Sequence, residues 1–264
     1  MNKYISRFSL DNKTIIITGA CGLLGREICK ALAELHARIV LADIDIMAAE
    51  KLQEELRDVY GASVTAFPLD ISSEDSVNKL VDELSKQEVS IDGLVNNAYP
   101  RNITYGTIFE NITMDSWREN IDMHLNGYFN VSQKIARVMM QQRQGNIVNI
   151  TSIYGMLGPD FSIYEGTTMT MPAEYAAIKG AIINFTRYLA TYLAAYNIRV
   201  NCLSPGGIFN EQLVSFVEKY KQRTPMGRMG KPEDIAGGVL FLLSNLSSYM
   251  TGQNLVIDGG WSAW

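Results

Sequence analysis

Short apolar runs rich in β-branched residues alternate with longer amphipathic stretches along the whole chain, and this alternation restricts the fold most. Thr14-Ile15-Ile16-Ile17-Thr18 reads as a buried strand closed by Gly19. The stretch 24–35 then places Leu24, Ile28, Ala31, Leu32 and Leu35 on one helical face. Further strands are predicted at 38–42, 63–69, 93–95, 146–150, 199–203 and 254–257. Helices are predicted at 47–60, 73–86, 115–142, 173–196 and 232–243. Such alternation requires parallel strands joined by crossover helices. The expected fold is therefore an α/β doubly wound parallel sheet of about seven strands with helices on both faces.

No composition shift, linker or internal repeat divides the 264 residues, so one domain over 1–264 is expected. The net charge of −5 is spread along the chain, which argues against a nucleic-acid partner. Residues 1–10 lack a secretory pattern. The longest apolar run, Val239-Leu240-Phe241-Leu242-Leu243, is too short to cross a bilayer. A soluble, cytoplasmic protein without a membrane partner is expected. Three cysteines (Cys21, Cys29, Cys202) and two histidines (His36, His124) give neither a disulfide framework nor a metal site. Two irregular segments, 155–172 and 206–230, would follow the carboxyl ends of strands, where ligands bind in an open parallel sheet.

The first strand–helix junction reads Thr18-Gly19-Ala20-Cys21-Gly22-Leu23-Leu24-Gly25. Glycines here permit a tight turn and let backbone N–H groups approach a pyrophosphate at a helix N-terminus, which points to a Rossmann-type dinucleotide site. Asp43, 24 residues after Gly19, ends the second strand. A carboxylate there accepts hydrogen bonds from ribose hydroxyls and repels a 2′-phosphate, so NAD is favoured over NADP. Capping of the next helix by Asp43 or Asp45 is the alternative. Asp70, after the third strand, stands where a side chain can meet the adenine, with helix capping again the alternative.

Tyr175-Ala176-Ala177-Ile178-Lys179 puts a phenol and an amine one helical turn apart. A phenol of ordinary pKa is a poor acid–base catalyst at neutral pH, and an adjacent ammonium is expected to lower it. A core tyrosine beside a snorkelling lysine would give the same pattern.

Asn96-Asn97-Ala98 follows the fourth strand, Ser152 ends the fifth, and Ser204-Pro205-Gly206-Gly207 follows the sixth. Together with the glycine turn, Tyr175-x-x-x-Lys179 and Asp258-Gly259-Gly260, these motifs resemble the classical short-chain dehydrogenase/reductase family over nearly the whole chain. The resemblance implies that Ser152 binds the substrate oxygen, Tyr175 exchanges its proton, and Lys179 holds the nicotinamide ribose and tunes Tyr175. It implies cofactor contacts from Gly19, Gly22, Leu24, Gly25, Asp43, Asp70, Ile71, Asn97, Ala98, Tyr175, Lys179, Pro205, Gly206 and Ile208. A homotetramer or homodimer is implied as well, with Trp261 and Trp264 buried against a neighbouring copy.

Four departures from the family pattern stand out. The glycine spacing is TGxxGxxG, Tyr99 replaces the glycine of NNAG, and His124 occupies the position of an asparagine three residues before Gly127. His124 is either a proton-relaying substitute for that asparagine or a structural histidine, with Asn120 or Asn126 as the alternative substitute. Fourth, Ser152 and Tyr175 lie 23 residues apart, wider than the family spacing, and the extra loop carries Asp160, Tyr164, Glu165, Met169 and Met171. That loop is expected to bring carboxylates to the substrate pocket, which speaks against a greasy ketone. The loop motifs as a group are similar to PtmA-like flagellin-modification and legionaminic-acid-type oxidoreductases. This implies a sugar, sugar phosphate or nucleotide sugar as substrate, contacted by Arg101, Tyr164 and Glu165, with 206–230 as a lid. A reductase of a non-sugar carbonyl and a non-catalytic NAD-binding protein are the alternatives.

Overall fold

A computed structural model describes residues 3–264. A short helix α1 (Lys3–Phe8) precedes β1 (Thr14–Thr18), α2 (Leu23–Glu34), β2 (Arg38–Asp43), α3 (Ile46–Tyr60), β3 (Val64–Pro68) and α4 (Glu74–Lys86). The chain then runs through β4 (Gly93–Asn96), α5 (Met114–Ile121), α6 (Gly127–Gln142), β5 (Gly145–Ile150), α7 (Ala173–Leu193) and β6 (Ile198–Pro205). It ends with α8 (Val214–Arg223), α9 (Pro232–Leu243) and β7 (Asn254–Ile257). The strands form one parallel sheet in the order β3-β2-β1-β4-β5-β6-β7. Winding proceeds outward from β1 to β3, then returns to place β4 beside β1. The crevice at this reversal is where such a sheet binds ligands.

The alternation of side chains along β1 divides the core. Ile15 and Ile17 face one layer with Ile28 and Leu32 of α2, Leu52 of α3 and Val239 of α9. Ile16 faces the opposite layer with Leu80 of α4, Val131 of α6 and Ile182 of α7. A third apolar cluster lies outside this sandwich and joins Tyr154, Tyr164, Phe216, Tyr220, Met229 and Trp261. Among the described residues no helix is long and apolar enough to cross a membrane.

Three expectations need correction. The helix predicted over 115–142 is broken by a π-helical turn, Asp122–Asn126, with His124 buried inside it. A wide turn of this kind inserts without disturbing the apolar pattern on either side, so periodicity does not reveal it. Segment 206–230 contains α8, whose Phe216, Val217 and Tyr220 are buried in the third cluster. Trp261 is buried by its own chain, stacked on Tyr220 at 4.3 Å, and only Trp264 remains exposed.

Candidate active site

The glycine turn is held by close backbone packing. Gly19 adopts φ +63°, and a Cβ there would lie 2.7 Å from the Ala98 Cα. A Cβ on Gly25 would lie 2.2 Å from the Gly19 carbonyl oxygen, so only glycine lets α2 start this near the turn. Gly22 is the N-cap of α2 and offers no side chain, leaving the first amides of the helix uncapped by protein. Asn97 braces the turn: its Nδ2 donates to the carbonyls of Gly19 (2.9 Å) and Thr18 (3.1 Å). The N–H groups of Asn97 and Ala98 both donate to Thr18 Oγ1. A shallow, glycine-lined cradle above a free helix N-terminus fits a dinucleotide pyrophosphate.

At the end of β2 the Asp43 carboxylate accepts from the N–H groups of Cys21 (2.8 Å) and Asp45 (3.1 Å). The cap of α3 is Asp45, which accepts from Ala48 N–H, so Asp43 is left to face the crevice. Ser73 likewise caps α4, and Asp70 lines the crevice while accepting from Ser72.

Ser152, Tyr175 and Lys179 converge on the same crevice, a cavity of about 830 Å³. Ser152 ends the extended run after β5 and accepts from Tyr154 N–H. Tyr175 and Lys179 lie in the first turns of α7. Lys179 Nζ donates to the Ile150 carbonyl (2.9 Å) and stands 3.3 Å from His124 Nε2. The rings of Tyr99, Tyr128 and Tyr175 surround it at 5.5–5.7 Å. Burial pushes the Lys179 amine down to about 7 and drives the Tyr175 phenol upward, with Ser152 pulling the phenol the other way. Burial, then the Lys179 charge, also holds His124 well below the usual imidazole range, so the ring is neutral.

Gly19, Gly22, Leu24, Ile71, Ala98, Arg101, Tyr164, Pro205, Gly206 and Ile208 all line the crevice. Gly25 lies beneath the turn and His124 behind Lys179, so neither is among the lining residues. Glu165 is exposed, with its carboxylate 3.9 Å from Lys219, and Asp160 turns toward Ser162 and Arg223. The loop over 155–172 therefore brings Tyr164, Met169, Thr170 and Met171 to the cavity instead of carboxylates. Phe216 and Tyr220, the aromatic residues of 206–230 expected to form part of a lid, line it too, whereas Tyr99, Tyr154 and Met229 line it without having been singled out from the sequence. Of these three only Tyr99 carried a signal, as the large residue replacing a small one after Asn-Asn-Ala.

Comparison with known proteins agrees with this geometry. Residues 19–262 match the family model described as enoyl-(acyl carrier protein) reductase. Post-translational flagellin modification protein A from Campylobacter coli is 38% identical over 96% of this chain and 99% of its own. The 3-oxoacyl-[acyl-carrier-protein] reductase FabG of Aquifex aeolicus is 34% identical over 95% of this chain and 98% of its own. The crystal structure of a gluconate 5-dehydrogenase from Burkholderia cenocepacia, in complex with NADP and tartrate, superposes with a TM-score of 0.88 at 31% identity. It covers 99% of both chains. Since the family match runs from the glycine turn to the C-terminal helical turn and the flagellin relative covers 96% of this chain, this chain belongs to the short-chain dehydrogenase/reductase family of oxidoreductases.

Proposed function

We propose that this chain, as one domain, is an NAD-dependent dehydrogenase/reductase acting on a sugar, sugar phosphate or nucleotide sugar in bacterial surface-glycan or flagellin-glycan biosynthesis. Convergence of Ser152, Tyr175 and Lys179 on one cavity at the sheet's winding reversal carries the reading. Bound NAD would supply the hydride acceptor or donor. Ser152 would hydrogen-bond the substrate oxygen and Tyr175 would hold or deliver the proton at that atom. Lys179, over the Tyr175 ring, would favour the phenolate when charged. His124 would act on Lys179 as a positioning residue and proton exchanger, being neutral and in contact with Nζ.

The choice of NAD over NADP rests on Asp43, a carboxylate at the ribose end, and on the absence of lysine and arginine from the Gly19–Gly25 turn. The glycan pathway rests on the similarity to the flagellin modification protein. We place the protein in the cytoplasm as a homodimer or homotetramer; the assembly is supported by aromatic side chains left outside on α6 and α7, namely Phe129, Tyr188 and Tyr192. A second reading, reduction of a 3-oxoacyl thioester, is favoured by the FabG similarity and by Met169, Met171, Phe216 and Met229 in the cavity wall.

NADH absorbance with NAD⁺ and a panel of hexose phosphates, amino sugars, nucleotide sugars and a 3-hydroxyacyl thioester separates the two. Turnover is expected on a sugar, reduced at least about 10²-fold in Tyr175→Phe with NAD binding retained. Turnover on the thioester alone would replace the sugar reading with the acyl one.

A further inference from the structure

Four charged side chains line the cavity: Asp43, Asp70, Arg101 and Lys179. The two aspartates stand at the β2 and β3 ends, and Lys179 is buried with its amine on the Ile150 carbonyl. Arg101 is therefore the one cation of the wall that is both exposed and free to meet a ligand. Arg26, Arg118, Arg223 and Arg228 are held by Glu55, Asp115, Asp160 and Asp234, while exposed arginines such as Arg38, Arg137 and Arg187 stand away from the cavity, so it is its place in the wall that sets Arg101 apart. Among the described residues Arg101 pairs with no carboxylate.

Its surroundings fix it instead. The guanidinium lies 5.6 Å from the centre of the Tyr99 ring. Tyr99 is itself held by a hydroxyl–hydroxyl hydrogen bond to Tyr105 and by edge contacts to His124 (5.4 Å) and Tyr175 (5.5 Å). Pro100, between the two, restricts the backbone that carries them. One aromatic ring thus lies between the guanidinium and the Tyr175 ring, and both residues line the same cavity.

The rest of the wall is consistent with a hydroxylated anion. The loop carboxylates that would repel one, Asp160 and Glu165, are turned outward onto Arg223 and Lys219. Tyr154, also in the wall, keeps a buried hydroxyl with no hydrogen-bond partner, a group that a substrate hydroxyl would satisfy.

We infer that Arg101, stacked on Tyr99, binds a carboxylate or phosphate group of the substrate, so that the enzyme selects an anionic polyol over its neutral counterpart. This rests on the dehydrogenase reading above. A planar guanidinium that pairs with no carboxylate is suited to bidentate contact with either anion.

Calorimetric titration of the NAD-loaded protein with D-gluconate, D-glucose 6-phosphate and neutral D-glucitol tests this. At least one anion is expected to bind about tenfold or more tightly than glucitol, a difference of about 1.4 kcal/mol. Which anion shows the preference distinguishes carboxylate from phosphate. Arg101→Gln is expected to erase the preference with NAD affinity intact, and Arg101→Lys, which keeps the charge without the fork, to leave part of it. Three results overturn the proposal: equal binding of anions and glucitol, no binding of any of the three, or a preference that survives Arg101→Gln. A loss of NAD affinity in Arg101→Gln also overturns it, by assigning the cation to the cofactor. Failure of NAD itself to bind the wild-type protein would instead defeat the underlying dehydrogenase reading.

Discussion

At the β1 and β4 ends of the crevice, shape is set by main chain: Gly19 against Ala98, Gly25 against Gly19, and Asn97 stitched to two carbonyls. At the opposite end, shape is set by side chains drawn from two loops and from α8, with Tyr99, Tyr154, Tyr164, Phe216 and Met169 as the wall. In the first region a Cβ added at Gly19 or Gly25 would collide with backbone. The second consists of flexible or rotatable groups meeting across loops, and methionine and tyrosine can repack around different ligands. A scaffold of this kind holds the cofactor end fixed while the substrate end is free to vary.

The sharpest attack on this contrast is Gly25→Val. Its Cβ would sit 2.2 Å from the Gly19 oxygen and 2.8 Å from the Ala20 oxygen, neither of which can rotate away. We expect a loss of about 3 kcal/mol in urea unfolding and no measurable NAD binding by calorimetry. Gly158→Ala, in the substrate loop, meets nothing within 4 Å and is expected to leave the unfolding midpoint unchanged. Tight NAD binding by Gly25→Val would break the idea that main chain defines that end.

The same contrast explains what was legible in the sequence. Strands and helices were readable because apolar residues recur at strand or helix period, and the glycine turn because glycine reports backbone directly. The π-turn around His124 was not, since an inserted residue leaves both flanking patterns intact. Nor was the orientation of 155–172: Tyr164 and Glu165 are adjacent in a stretch without period, and one points inward, the other to solvent. Trp261 looked like interface because its partner Tyr220 lies 41 residues earlier in a loop of unknown path.

A smaller effect is expected from Asp43→Ser. Removing the carboxylate takes away acceptors for the Cys21 and Asp45 N–H groups and lifts the repulsion of a 2′-phosphate. The NADP-to-NAD affinity ratio should rise about tenfold, while the KM for substrate at saturating cofactor stays level. A matching change in substrate KM would mean that the two ends are coupled through the Cys21 turn.

Lys179 sits where the ends meet, and its burial gives a pH signature. Its amine is pushed down to about 7 in the fold but titrates at its ordinary 10.5 when unfolded. Between those values the unfolded chain holds a proton that the folded chain lacks, so stability rises with pH across that window. The slope from this group vanishes below about 7, where both states are protonated. His124 is lowered too, so acidification through the ordinary imidazole range costs further stability. Buried tyrosines such as Tyr175, raised in the fold, act in the opposite sense only above their ordinary value of 10.0. Urea midpoints should climb from about pH 7 to about pH 9 in the wild type and flatten in Lys179→Met. A slope unchanged in Lys179→Met would place the titrating group elsewhere.

The least change is expected from Glu165→Gln, and it is informative for that reason. The carboxylate is exposed and its lysine contact is long, at 3.9 Å, an arrangement worth little in water. Lys219 keeps its hydrogen bonds to the Ser162 and Glu165 carbonyls, so the loop's anchor to α8 survives the substitution. Substrate KM should therefore shift by less than about twofold, with stability inside about 0.5 kcal/mol. A tenfold rise in KM would show that the loop inverts when substrate enters, carrying Glu165 from the surface into the cavity. The substrate end would then be defined by side chains that change places rather than by a wall already in place.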